Sequence, residues 1–183
     1  PNTEIPALFR YDGVERAVDV RYRGGIARAL PKKSWKIKFP GTAPFEGRLD
    51  LNLKSGFVDA SLVREETSFG LCESIGLEPP HFFPVHLKVN GVYRGVFYQN
   101  EQVDEAFLAA RARDNDSTIY KAVQADFTPL TSLAQYQLAY DQKTNLQSGY
   151  DDLIALVELV GDDSDPERAL KLASLIDLER YLD

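Results

Sequence analysis

Cysteine, histidine and methionine are scarce in this chain, and each shortage closes off a class of function. Cys72 is the only cysteine, so no internal disulfide can form. That suits a reducing compartment, and equally a secreted protein that uses no disulfides. The two histidines, His81 and His86, have no cysteine or close acid beside them, which argues against a zinc site. Methionine is missing altogether, even at position 1. With no signal-peptide pattern either, the chain reads as a processed or excised piece. No apolar run is long enough to span a membrane. There is no Walker A loop, no His-Arg-Asp catalytic loop and no Asp-Phe-Gly, which Asp126-Phe127-Thr128 only half matches. No Ser-His-Asp or Cys-His set stands out. Asp114-Asn115-Asp116 and Asp162-Asp163-Ser164-Asp165 lack the glycine and terminal glutamate of an EF-hand loop, and read as helix caps and solvated turns.

What is present is an ordinary globular composition. The 183 residues are 44% apolar and 27% charged, enough for one domain, or one and a part, with a core of useful size. The net charge of −7 argues against general nucleic-acid binding, which needs a basic face over the domain. One stretch breaks the acidic balance. Seven of the twenty-one Lys and Arg residues fall between Arg21 and Lys38, and no acid falls between Asp19 and Glu46. Such a cluster in an acidic chain points to an anion, with phosphate the first candidate.

The first half alternates like an antiparallel sheet. Val18, Val20 and Tyr22 oppose Asp19, Arg21 and Arg23. Trp35, Ile37 and Phe39 oppose Ser34, Lys36 and Lys38. Leu49, Leu51 and Leu53 oppose Asp50 and Asn52. Each is a period-two strand with one apolar and one polar face. Phe83 to Val89 and Val92 to Tyr98 make two more, joined by the Asn90-Gly91 hairpin signal. A helix from about Leu62 to Ile75 interrupts the sheet, capped by Asp59 or Ser61, ended by Gly76 and blocked by Pro79-Pro80. Its apolar residues spread around its circumference, which predicts a well-buried helix. Beyond Glu101 the pattern turns helical. Helices are expected over Asp104–Arg113, over Tyr150–Val160, from Asp165-Pro166 to about Ser174, and from Asp177, with a strand at Thr118–Val123. The last helix has one or two turns and nothing to pack on, so the chain is expected to stop inside a larger unit.

The polar face of the first strands carries Arg21, Arg23, Lys36 and Lys38 together. Lysine acts as a point charge and arginine as a bidentate fork, and both suit phosphate oxygens. Gly24-Gly25 lets the backbone approach a ligand closely. The plainer reading is a solvated sheet face on which lysine deters aggregation. A buried strand lysine needs a carboxylate, and Glu65 or Glu66 on the helix can supply one. Strand lysine with helix glutamate is how protein kinases hold ATP phosphates; for the glutamates, the plainer reading is a surface salt bridge.

These residues resemble the spore coat protein H (CotH) kinase family. The resemblance rests on Arg-Gly-Gly and Pro-Lys-Lys-Ser-Trp-Lys-Ile-Lys-Phe within Val20–Phe39, on Leu49–Leu53 and Ser61–Glu65, and on Val89–Phe97 with Glu101–Asp104. It continues through Ile119–Ala122, Tyr140–Asn145 and Asp177–Leu182. The matches run in order over most of the chain.

The resemblance implies an α+β fold with an atypical protein-kinase-like N-lobe, an antiparallel sheet plus one helix, over residues 1–104. The truncated start of a helical C-lobe would cover 105–183. It implies a kinase that uses ATP with a divalent metal, Mg or Mn, to phosphorylate serines on coat or surface proteins. An extracellular, cell-surface or spore-surface location follows. Carried over residue by residue, Lys38 would grip phosphate, with Lys36 and Arg23 assisting and Glu65 as helix partner. Glu101 to Val103 would meet the adenine through backbone groups. Gly25-Ile26-Ala27-Arg28 departs from the Asn-Ser-Ser stretch the family usually shows after Arg-Gly. The family's catalytic and metal-binding aspartates would lie beyond the helix that begins at Asp177, so this chain is expected to be inactive alone. The alternative is a non-catalytic surface, adhesion or structural module on the same fold, which the altered loop favours.

Overall fold

Two dipeptides set the hairpins of the sheet. Asn90-Gly91 joins β5 (Phe82–Val89) to β6 (Val92–Asn100), as its sequence predicts, and Asp12-Gly13 joins β1 (Ile5–Tyr11) to β2 (Val14–Arg23). Both residues of each pair have positive φ, 51° and 77° at the first turn and 47° and 76° at the second. This is the type I′ geometry, whose twist matches that of paired strands. β1 lies outside the strands expected above, and the Asp-Gly dipeptide between Tyr11 and Val14 is the signal that marks it.

The computed structural model describes residues 3–114, 116–123 and 125–176. It divides into two units, Pro1–Val103 and Asp104–Asp183. The first is one antiparallel sheet of six strands in the order β1-β2-β3-β4-β6-β5, with β3 at Ser34–Lys38 and β4 at Asp50–Lys54. Val20 lies opposite Ile37, and Ile37 opposite Leu51; Tyr22 lies opposite Trp35, and Trp35 opposite Leu53. Alternation then gathers Val18, Ile37, Leu51, Leu53 and Phe97 on one face, where they form the core with Phe39 and Phe45. Phe9, Phe39 and Phe45 close one end, with ring centroids 5.1 to 5.4 Å apart. The core lies on the face expected from the apolar positions.

The helix of this unit, α1, spans Arg64–Ser74. It starts later than expected because Leu62 has φ of 58°, a left-handed conformation that no helix continues through. Asp59 still serves the helix start: its carboxylate accepts from the Arg64 N–H at 3.0 Å. The end is as expected. Leu77 N–H donates to Cys72 O at 2.9 Å and Gly76 N–H to Glu73 O at 3.1 Å, the paired bonds of a Schellman cap. The expected burial is not found. No residue of α1 is buried, and Leu71 is 64% exposed. Only the stripe Glu65, Phe69 and Cys72 is partly covered, because positions three and four apart share one face of a helix.

The second unit packs helices against a two-stranded sheet. α2 (Glu105–Ala110) is capped by Asp104, whose carboxylate accepts from the N–H groups of Ala106 and Phe107. β7 (Tyr120–Ala122) pairs with β8 (Tyr140–Gln142), and α3 (Leu133–Ala139) runs directly into β8. α4 (Asp151–Gly161) supplies Leu153 and Val157 to a core shared with Tyr136, Tyr140 and Tyr150. α5 (Arg168–Leu175) begins after a turn in which Asp165 accepts from the Glu167 N–H. Asp162 and Asp165 thus accept from the N–H groups of Ser164 and Glu167 in turns, but the helix starts two residues after Pro166 and its N-cap position, Glu167, makes no side-chain cap bond, so the cap expected of Asp165 is not found. The Tyr140–Asn145 stretch is structural: buried Thr144 accepts from Ile119 N–H and donates to Ser117 O. The helix expected from Asp177 lies outside the described residues. The fold class is α+β, an antiparallel sheet with a few helices.

Candidate functional site

The face of the sheet opposite the core holds the charged residues. Alternation puts Arg21 and Arg23 of β2, Lys36 and Lys38 of β3, and Asp50, Asn52 and Lys54 of β4 on that face. Arg23 lies opposite Ser34, Arg21 opposite Lys36, and Lys36 opposite Asn52; across β6, Asn52 lies opposite Asn100 and Lys54 opposite Tyr98. α1 leans on the same face, where Phe69 meets Phe82 edge-on at 5.3 Å and Phe82 stacks on Tyr98 at 4.5 Å.

Ion pairs gather all but one of these basic residues into three groups. Glu4, just before β1, takes Lys38 at 2.6 Å and Arg21 at 3.6 Å. Its hydrogen bond with Lys38 holds the Glu4 carboxyl below the usual carboxylate range. Asp50 takes Lys36 at 2.7 Å. Lys54 takes Glu65 of α1. Arg23 has no carboxylate partner among the described residues. Burial lowers its guanidinium pKa, with the Arg21 charge adding to the effect, yet a guanidinium stays charged at neutral pH.

The sequence-derived site residues therefore lie as follows. Arg23, Lys36 and Lys38 share one face, as their alternation predicts. Glu65 approaches that face, but the lysine it meets is Lys54, not Lys36 or Lys38. Glu66 is exposed. Glu101 follows β6 and is tied to the sheet edge, its N–H donating to His81 O and its carboxylate accepting from His81 N–H, both at 2.9 Å. Val103 is half-buried at the end of the unit. Sequence reasoning missed Lys54 and Asn52. The signal for Lys54 was position, since it ends the strand that directly precedes the glutamate helix. Asn52 is 1% exposed. Its side-chain N–H donates to Gln102 Oε1 at 2.8 Å, and its own Oδ1 has no hydrogen-bond partner among the described residues.

This arrangement can hold an anion. A strand lysine oriented by a helix carboxylate, with an arginine two strands away that has no carboxylate partner among the described residues, presents fixed positive charge on a partly covered surface. Among the described residues no group of three or more His, Cys, Asp or Glu could hold a metal ion, and no helix is long and apolar enough to cross a membrane.

Known proteins agree with the motif reading. The chain is 31% identical over 149 residues to inner spore coat protein H of Bacillus subtilis (strain 168), a match covering 80% of this chain and 40% of that relative. The family model described as CotH kinase protein matches residues 20–183, and the chain belongs to that family.

Proposed function

We propose that this chain forms the phosphate-holding part of an ATP-dependent, CotH-type protein serine kinase of a spore coat or cell surface. The observation that carries the reading is the Lys54–Glu65 pair. In protein kinases a strand lysine that contacts ATP phosphates is held by a helix glutamate. Here the lysine strand, the glutamate helix and two further strands follow in order, and the second of those strands, β6, pairs back beside β4. Lys54 thus takes the central role that the motif resemblance alone assigned to Lys38. Arg23, which has no carboxylate partner among the described residues, and Lys36 would assist on the same face. The chain after β6, from Glu101 to Val103, would meet the adenine through backbone groups.

In the reaction, a serine hydroxyl oxygen bonds to the γ-phosphorus, the bond from that phosphorus to the bridging oxygen breaks, and ADP leaves. The described residues bind and orient, and the hydroxyl proton is released to solvent water. Mg or Mn, bound, would neutralise phosphate charge. The described residues offer no cluster of three or more His, Cys, Asp or Glu for it. The acceptor is a serine-bearing coat or surface protein, and the relative's name supports the coat location. A non-catalytic surface or adhesion module is the second reading. It is favoured by the carboxylates of Glu4 and Asp50, which already engage Arg21, Lys36 and Lys38.

The test is thermal stabilisation by ATP. Ligand at about 100 times its Kd should stabilise the protein by about 2.7 kcal/mol. Lys54→Ala should abolish that shift. If Lys38→Ala abolishes it and Lys54→Ala does not, the central role returns to Lys38. If wild type shows no shift, the non-catalytic reading stands.

A further inference from the structure

The other half of the basic run does not reach the Lys54 face. Lys32 and Lys33 lie in the segment between β2 and β3, and with Arg94, just past the β5–β6 turn, they line a cleft of about 510 Å³. Tyr22, Trp35, Phe57 and Phe97 form its apolar walls. Tyr22 and Trp35 project from the core face of the sheet, so the cleft is separate from the proposed nucleotide face. Its volume is in the range of small-ligand sites.

Its charge is unusual for this protein. In a chain of net charge −7, the lining includes three cations and no Asp or Glu. None of the three has a carboxylate partner among the described residues. Lys32 Nζ donates to Val96 O at 2.5 Å and sits 4.4 Å from the Phe97 ring centroid. Lys33 Nζ donates to Arg28 O at 2.6 Å. Both ammonium groups are thus positioned by a carbonyl and left without a counter-ion. Burial lowers the Lys32 pKa, in keeping with a partly desolvated charge. A cation already stripped of some water loses less on meeting an anion.

We propose that this cleft binds a phosphomonoester dianion on an extended polypeptide, a phosphoserine whose neighbouring side chains lie on the aromatic walls. Three cations exceed what one carboxylate needs and match a group of charge about −2 with three acceptor oxygens. No carboxylate, carboxamide or aliphatic hydroxyl side chain lines the cleft to read the edge of a base. Two walls, Phe57 and Tyr22, are each 46% exposed, which leaves room for a chain to enter and leave. The choice of phosphoserine rests on the serine-directed transfer proposed above; the charge and shape of the cleft do not. The cleft would then hold an already phosphorylated acceptor while another serine is presented.

Trp35 is the only tryptophan and lines the cleft, so its emission reports occupancy. A synthetic phosphoserine peptide with flanking aromatic residues should bind saturably and change that emission. The unphosphorylated peptide should bind about a hundredfold more weakly, since charge-assisted hydrogen bonds are lost. Arg94→Ala, at an exposed position, and Lys33→Ala should each weaken phosphopeptide binding about tenfold. Lys54→Ala should leave it unchanged. Equal binding of both peptides, or ATP displacing the phosphopeptide in an Arg94-dependent way, would overturn the proposal. So would phosphopeptide binding lost on Lys54→Ala but kept on Arg94→Ala. Because the peptide is synthesised, failure of the kinase reading leaves this result interpretable.

Discussion

Glu65, in the first turn of α1, forms an ion pair with Lys54 at the end of β4, eleven residues away. The pair ties a helix that buries none of its residues to the sheet it leans on. Its two side chains are 39% and 42% exposed, so its net worth to stability is small, about 0 to 1 kcal/mol. Its worth to function lies in placing the ammonium group. Glu65→Gln should therefore change urea stability by less than about 1 kcal/mol while reducing the ATP-induced rise in melting temperature. A large loss of stability with an unchanged ATP response would make the pair structural.

Glycine offers a paired test of the packing. Gly70 lies within α1, and a methyl group built on it meets nothing within 4 Å. Gly70→Ala should stabilise by about 0.5 to 1 kcal/mol through helix propensity. Gly161, the last residue of α4, is the reverse: a methyl group there would clash with the Pro129 ring at Cγ and Cδ. Gly161→Ala should destabilise by about 1 to 3 kcal/mol. Chemical denaturation of the two variants should move in opposite directions.

The first unit depends on the single face that carries its core. Leu51 is 4% exposed, between Ile37 and the aromatic end. Leu51→Ala should cost about 2 to 5 kcal/mol, read from the midpoint of urea unfolding. A cost near zero would mean that the face is not packed as described.

Acid should loosen the entry to α1. The Asp59 carboxyl is held below its usual range first by the Ser61 hydroxyl, against burial as the next largest effect, with the N–H groups of Arg64 and Ser61 and the Arg64 charge adding to the lowering. A carboxyl with a depressed folded pKa binds fewer protons folded than unfolded. Its contribution is therefore full above the unfolded value, about 3.9, and is lost as pH falls through the lower folded value. Wild type should exceed Asp59→Ala in stability at neutral pH, and the two should converge as the pH drops below about 4. A gap that persists in strong acid would assign the difference to something other than ionisation.

Much of the sheet was legible because its signals are local. Period-two alternation marked five strands and the face each buries, Asn90-Gly91 marked a hairpin, and Gly76 marked the end of α1. Leu62 broke the expected helix start through a left-handed backbone that its side chain does not announce. The exposure of Leu71 and Ile75 was illegible for another reason: apolar residues around a helix raise an expectation of burial, but only packing partners can meet it. α3, inserted before β8, carried too short a pattern to stand out.

By itself, the amino-acid sequence determined that this is an antiparallel α+β protein with a basic stretch inside an acidic chain, and its motifs led to the CotH kinase protein family. Alternation requires only the order of residues, so Arg23, Lys36 and Lys38 could be placed on one face without any structure. Which lysine meets the helix glutamate is a matter of register and strand order, which bring together residues that alternation leaves unrelated. Tertiary structure decided that Lys38 is held by Glu4, that Lys54 receives Glu65, and that Lys32 and Lys33 line one cleft with Arg94 on the other face. Charge placed by sequence is only a sum along the chain. Its partners are chosen in space, where Coulomb energy falls with distance and carboxylates from distant segments decide which cations remain available.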